Sequence, residues 1–405
     1  MQSGVPRIGA KSHASRPRLT RQRFTSVCLA WMMAAIALGA DDLIGPVLGE
    51  VLEGANLAAF APMVEQVVPE QSVSLRKVAV WALGALLEQP LEKEARARVL
   101  RDLGSRLSEL GRREAALEVA REAVELYRQL VTTDPDKFAP DLARSLHQLG
   151  LRLGEVGQWQ AAVELAQEGT ELYRHLEADQ PEAFRPYLAA GLGDLGRLLS
   201  GTGQREAALG ATEEGAELYR QLAEVRPDTY SSCLATSLSD LGLRLRELGQ
   251  RERALGATEE AVRIRRELAA VWPDMFLPEL ATSLNNLGKM LTDLGQREAA
   301  VKVTVEAIGI RRELARSLPE TYLPALAVSL NNLGANLRRL GQREAAFAAL
   351  SEAVTLYEGL AGRQPEAFES KLAIARKNLR NLVDKQGTSS APPPPASEPP
   401  DPSST

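Results

Sequence analysis

Three features of this chain have residue types and spacings that could do chemistry. Gly191-x-Gly193-x-x-Gly196 has the spacing that lets a backbone approach a dinucleotide pyrophosphate, which requires a strand before it and a helix after it. Here the triplet lies inside a helical pattern, and the cofactor reading loses its context. His13, His147 and His175 are isolated from one another, and no phosphate-binding loop, zinc-helix motif or nucleophile elbow accompanies them. The third feature is a recurring series of Arg, Lys and Asn side chains. Arginine pairs carboxylates through its planar fork, and an amide can bond a peptide backbone, so such a series suits binding rather than catalysis. Whether these side chains share a face depends on the elements that carry them.

Those elements repeat. Gly111, Gly157, Gly203, Gly249, Gly295 and Gly341 are spaced by 46 residues without insertion or deletion, most of them inside a GQREAAL-like stretch. A fixed period of this size containing two helical patterns marks a stacked solenoid. In the second unit Leu142, Leu146, Leu149, Leu153 and Val156 line one helix face, Gly157 breaks the helix, and Ala162, Leu165, Gly169, Leu172 and Leu176 continue on a second. A Pro-x-x-aromatic motif follows each second helix, from Pro135-x-x-Phe138 to Pro365-x-x-Phe368. Proline should stop the second helix, with the aromatic anchoring a loop between repeats.

A second glycine series, Gly104, Gly150, Gly196, Gly242, Gly288 and Gly334, falls inside the first helices. A mid-helix glycine costs about 1 kcal/mol relative to alanine, so its recurrence implies close helix approach. Ala116, Ala162, Ala208, Ala254, Ala300 and Ala346 in the second helices fit the same role, with each pair expected to nest against the next.

Leu287-Gly288-x-x-Leu291, then Gly295, Ala300 and Ala307, resembles the tetratricopeptide repeat. The 46-residue period and Ser-Leu-Asn-Asn-Leu at 283–287 and 329–333 are similar to the longer kinesin-light-chain type common in bacteria. The extra length over the usual repeat is expected mostly in the second helix and the following loop. Leu replaces the family's aromatic positions in the first helix, and Arg265 and Arg311 stand where other units have Tyr. The resemblance implies an all-α fold, a right-handed solenoid of six helix-turn-helix repeats with capping helices, and a non-catalytic scaffold binding a protein or peptide in a concave groove lined by the first helices. A self-associating structural array, or a regulatory or sensor segment of a larger signalling protein, stays open as an alternative.

If first helices line the groove, four positions per unit face it. Among these, seven are Arg or Lys and none is acidic. The candidate groove residues are Arg98, Arg101, Arg144, His147, Arg197, Arg246, Asn285, Lys289, Asn331 and Arg338. The expected ligand is an extended peptide with acidic side chains or a free carboxylate. Against this stand Glu109, Glu155, Glu247 and Asp293, one residue further along and placed to neutralise the strip. Other helix-surface pairs such as Arg297-Glu298 read as solvated faces. Trp159 should start a second helix on the outer side, Trp272 should pack a loop, and Cys233 should be an inert loop thiol.

Around the array, residues 1–40 combine a basic, Ser-rich segment with an uncharged stretch at 24–40, which reads as a signal or anchor, or as a buried helix. That stretch is the one expected membrane contact, leaving the array cytoplasmic, membrane-anchored or exported. Residues 41–90 form an N-terminal helical cap, 91–371 the repeats, 372–386 a capping helix, and 387–405 a Pro/Ser-rich tail. Net charge is −5, and residues 24–405 carry 42 basic against 53 acidic residues. That balance argues against nucleic-acid binding. Two cysteines are too few for a disulfide framework or a cysteine-based zinc site. No cofactor, metal or catalytic residue is expected.

Overall fold

The computed structural model describes residues 76–383, in fourteen helices; among these residues there is no strand. Helix α1 is Arg76–Leu87, α2 Lys93–Glu109, α3 Arg113–Val131, α4 Pro135–Glu155 and α5 Trp159–Asp179. Then come α6 Pro181–Gly201, α7 Arg205–Val225, α8 Pro227–Glu247, α9 Arg251–Val271 and α10 Pro273–Asp293. The last are α11 Arg297–Ser317, α12 Pro319–Arg339, α13 Arg343–Arg363 and α14 Pro365–Val383. Two compact units divide inside α5, one ending at Leu172 and the other starting at Tyr173. The expected signal or anchor at 1–40, much of the 41–90 cap and the 387–405 tail lie outside the described residues. No described helix is long and apolar enough to cross a membrane.

Each first helix ends at a glycine in the left-handed region, with φ between 71° and 80° at Gly111, Gly157, Gly203, Gly249, Gly295 and Gly341. Only glycine takes this conformation without a Cβ penalty, and the turn it makes satisfies the orphan carbonyls of the helix end. At α8 the Gln250 N–H donates to Leu245 O at 2.9 Å and Gly249 N–H to Arg246 O at 3.0 Å.

The second junction departs from expectation. The Pro-x-x-aromatic motif does not build a loop; it starts the next first helix, with proline at its first turn. From α5 onwards one residue closes both helices. Arg226 donates to Leu222 O at 2.9 Å as the end of α7, and its carbonyl accepts from Tyr230 N–H at 3.1 Å as the start of α8. Its φ of −135° and ψ of 76° are the non-helical values that a following proline imposes. Proline itself lacks only an N–H that would have had no partner there. The residues expected in the loop therefore extend the first helix at its N-terminus, while the second helix is also 21 residues long, and α14 begins at Pro365 rather than near residue 372. Cys233 likewise sits inside α8, not in a loop.

Helices pack in sequence order. In the first unit α1 packs on α2, and α2 and α4 both pack on α3; in the second unit α6 through α14 each pack on the next. The core is leucine and alanine: Leu100, Leu146, Leu192, Leu238, Leu284 and Leu330 are at most 1–2% exposed. The glycines act as read, but within pairs. A Cβ on Gly242 would overlap Thr258 Oγ1, and one on Gly288 would lie 2.6 Å from Thr304 Oγ1. On Gly334 it would strike Leu350. In every case the neighbour is on the second helix of the same pair, so these contacts close each pair internally rather than seating one pair on the next.

Between second helices runs a charge pairing that neighbouring residues in sequence do not show. In the first unit Arg128 pairs with Glu168 at 2.7 Å. In the second, Arg174 pairs with Glu214 at 2.6 Å, Arg220 with Glu260 at 3.2 Å, Arg266 with Glu306 at 2.7 Å and Arg312 with Glu352 at 2.7 Å. The series stops at Glu358, which stands in the arginine column and pairs with Arg376 of α14 at 2.7 Å. These pairs are largely exposed, so each is worth about 1 kcal/mol or less. Arg266→Ala is accordingly expected to lower the urea midpoint only slightly, with the difference vanishing at about 1 M salt, where the screening length is about 3 Å. A large, salt-insensitive loss would assign Arg266 a packing role instead.

Candidate partner-binding face

First helices also touch across repeats: α2 meets α4 in the first unit, while α6 meets α8, α8 meets α10 and α12 meets α14 in the second. On these helices the candidate groove residues fall into different environments. Arg98 is exposed. Arg101 is buried, bonding Asp102 at 3.1 Å and Asp141 at 2.5 Å and lying 5.8 Å from the Tyr127 ring centre. Burial opposes its charge, yet Asp102, Tyr127 and Asp141 together raise its pKa above the ordinary value. Burial in turn pushes the Tyr127 hydroxyl up to about 12. Arg144 is half-buried. His147 is buried beside Thr170 Oγ1 at 3.4 Å, and its ring fills the space that a Cβ on Gly169 would need. Arg101 and His147 thus belong to the packing rather than to an open floor. They share one column, which faces the second helices: Arg101 donates to the Tyr127 hydroxyl at 3.4 Å, and His147 fits against Gly169.

In the second unit, exposed Arg197 pairs with Asp194 on its own helix. Arg246 reaches Asp293 of the next first helix at 2.5 Å. The acidic column has comparable partners elsewhere. Glu155 accepts from Ser108 at 3.3 Å and from Arg152 at 2.9 Å. Glu247 accepts from Ser200 at 2.9 Å and from Arg244 at 3.0 Å. Asn331 accepts from Asn378 of α14 at 3.0 Å, and Arg338 is half-buried. Much of the basic strip is therefore matched by carboxylates.

Around α10 and α12 the pattern changes. Asn285, Lys289, Arg246, Asp293 and Arg339 line a cavity of about 170 Å³. Arg339 occupies the column that holds Glu155, Glu247 and Asp293 in other repeats, so the acid expected there is a cation. Burial lowers the Lys289 pKa, and repulsion from Arg246 and Arg311 lowers it further.

Arg265 and Arg311 are residues whose role the sequence did not disclose, although each stood out by replacing a tyrosine. Both are buried, at 7% and 6% exposure. Arg265 bonds Ser239 at 2.9 Å, Thr236 at 3.1 Å and Ser283. Arg311 bonds the Ala325 carbonyl at 2.9 Å and Ser329. Burial alone pulls the Arg311 pKa down to about 10, with no opposing carboxylate among the described residues. Ser283 and Ser329 belong to the repeated Ser-Leu-Asn-Asn-Leu segment, whose serines are thus the arginines' acceptors.

The Gly191, Gly193, Gly196 triplet lies within α6; of these, Gly196 serves helix packing against Thr212 of α7, whereas a Cβ on Gly193 would meet nothing within 4 Å. Trp159 begins α5 and is 42% exposed; Trp272 sits at the α9–α10 junction, tilted against Phe276 at 6.3 Å. Cys233 is half-buried, and burial pushes its thiol pKa up.

The tetratricopeptide repeat model matches residues 96–136, 142–182, 234–269, 280–315 and 326–366. The chain belongs to the tetratricopeptide repeat family. Proteins of this family generally mediate protein–protein interaction. The helix pair over α6 and α7 is not among the matched segments, and α6 carries Gly191, Gly193 and Gly201 where the next repeat has Ser237, Ser239 and Glu247. Among solved structures, BtubC from P. vanneervenii is 21% identical with a TM-score of 0.50, covering 62% of this chain and 92% of that one. A signal transduction ATPase with numerous domains and a tetratricopeptide repeat sensor, from Pyrococcus horikoshii, gives 13% identity and a TM-score of 0.57 over 91% of this chain and 49% of that one. A kinesin light chain-like repeat protein from Podosopora anserina is 23% identical with a TM-score of 0.44, covering 56% of this chain and 98% of that one. No curated protein matches the chain.

Proposed function

We propose that this protein is a non-catalytic scaffold that takes a peptide or protein partner along the face of its first helices. The observation that carries the reading is the polar cavity between α10 and α12, where three cations and several amides meet a single carboxylate, Asp293. Elsewhere Arg101, His147, Arg265 and Arg311 are taken up by helix packing. An acidic group on the partner suits this stretch, because Lys289 is held among like charges that an anion would relieve.

Fluorescence anisotropy with an acidic peptide and its basic counterpart of equal length tests this. The acidic peptide is expected to bind more tightly, to lose affinity with salt, and to weaken about 10-fold or more in Lys289→Glu, the scale of a lost charged contact. Equal affinity for both peptides, unaffected by the substitution, would remove the reading. A second reading, self-association, draws on exposed Val271, Met275 and Leu318 at successive junctions of the second unit. Mass by light scattering that rises with protein concentration would favour it.

A further inference from the structure

Resting on that reading, the polar cavity between α10 and α12 specifies which acidic group it accepts. Its charge balance comes first. Arg246, Lys289 and Arg339 contribute three positive charges against one negative charge on Asp293, which is engaged by Arg246 at 2.5 Å. The lining therefore carries an excess of two positive charges. Elsewhere in the first-helix face the acidic column absorbs such charge; here Arg339 stands in that column.

The hydrogen-bond polarity comes second. A guanidinium can only donate, so Ser329 Oγ accepts from Arg311 and must send its single proton elsewhere. That proton goes to Asn285 Oδ1 at 3.2 Å, which also receives Asn332 Nδ2 at 3.3 Å. The Asn285 carbonyl is thereby committed, and its NH2 is the polar edge left to line the cavity. Arg311, fixed within the packing, acts as a positioning residue that makes the cavity a donor site.

We propose that this cavity binds a phosphate dianion, presented as a phosphorylated side chain of the partner, with Lys289, Arg246 and Arg339 meeting its charge and the Asn285 amide donating to an oxygen. A phosphoryl group carries about two negative charges at neutral pH and three strong acceptor oxygens, matching the excess charge, whereas a carboxylate supplies one.

Isothermal titration of the full chain with inorganic phosphate, with a phosphoserine peptide, and with the same peptide carrying serine or glutamate tests this. The phosphoserine peptide is expected to bind at least about 10-fold more tightly than the glutamate peptide, with affinity falling below about pH 6 as the phosphate takes up a proton. Inorganic phosphate is expected to compete with it; competition without a preference for the peptide would assign the site to free phosphate and overturn the partner source. Arg339→Glu, at an exposed position and restoring the acid of the other repeats, is expected to remove the preference for phosphoserine while leaving the thermal melt unchanged. Arg311→Tyr is expected to weaken phosphate although it does not touch it. Equal binding of phosphoserine and glutamate peptides, or a phosphoserine preference that survives Arg339→Glu, would overturn the assignment. In that event continued capture of the glutamate peptide would leave the scaffold reading intact, while loss of all peptide binding would end both.

Discussion

Gly242→Val should cost the second unit about 3 kcal/mol, the upper end for overpacking a tight core. A Cβ at this position overlaps Thr258 Oγ1 and lies 3.3 Å from the Ala254 carbonyl. Thr258 cannot easily yield, because its hydroxyl donates to that same carbonyl at 2.8 Å in a buried site. Alanine at 242 would gain up to about 1 kcal/mol in helix propensity on its own. Gly242→Ala is nevertheless expected to be destabilising, and combining it with Thr258→Ala should recover most of the loss. Urea denaturation of the four proteins in this cycle measures the coupling. Additive effects would show that glycine is not there to admit the threonine. Hydrogen exchange should place the damage in α8 and α9 first, since in a repeat array each unit leans mainly on its neighbours.

Arg311→Tyr works in the opposite direction. Tyrosine fills the equivalent column in other repeats, where Tyr127 and Tyr357 are 1% and 3% exposed. Exchanging a buried cation for a side chain that other repeats already accommodate is expected to stabilise the protein by about 1–4 kcal/mol. The advantage has a pH signature. The folded-state pKa of Arg311 is depressed to about 10, so its burial penalty is complete below that pH and shrinks as pH rises towards the ordinary value for arginine. The gap between variant and wild type should therefore be full at neutral pH and narrow above about pH 10. A lower denaturation midpoint for the variant would mean that the bonds to Ser329 and the Ala325 carbonyl outweigh the cost of burying the charge.

The helix pairs were legible because their determinants are local and repeated: turn glycines, prolines and leucine spacing all lie within one period. The single-residue junction was not, because proline in a sequence says where a helix cannot continue and leaves open how soon the next begins. Gly196 and Gly242 announced close approach, but not which neighbour approaches; that depends on Thr212 and Thr258, sixteen residues away on the second helix of the pair. The basic residues of the first helices could be placed on a common stripe, whereas their partners lie about one repeat further on, as Asp293 does for Arg246. Arg265 and Arg311 were visible as exceptions, but burial of a charge can be recognised only when the surrounding helices are in place.

The turns inside each helix pair have a consequence for how such a chain can change. Gly157-Gln158, Gly203-Gln204, Gly249-Gln250, Gly295-Gln296 and Gly341-Gln342 are the same dipeptide at the same point of five of the six units. Recombination between any two of the corresponding codon pairs adds or removes whole copies and recreates an identical joint, with the arginine of one copy still facing the glutamate of the next. The molecule can lengthen or shorten in fixed increments without posing a new folding problem, while a single deviating copy, such as the one carrying Arg339, keeps its distinct chemistry at whatever place in the row it comes to occupy.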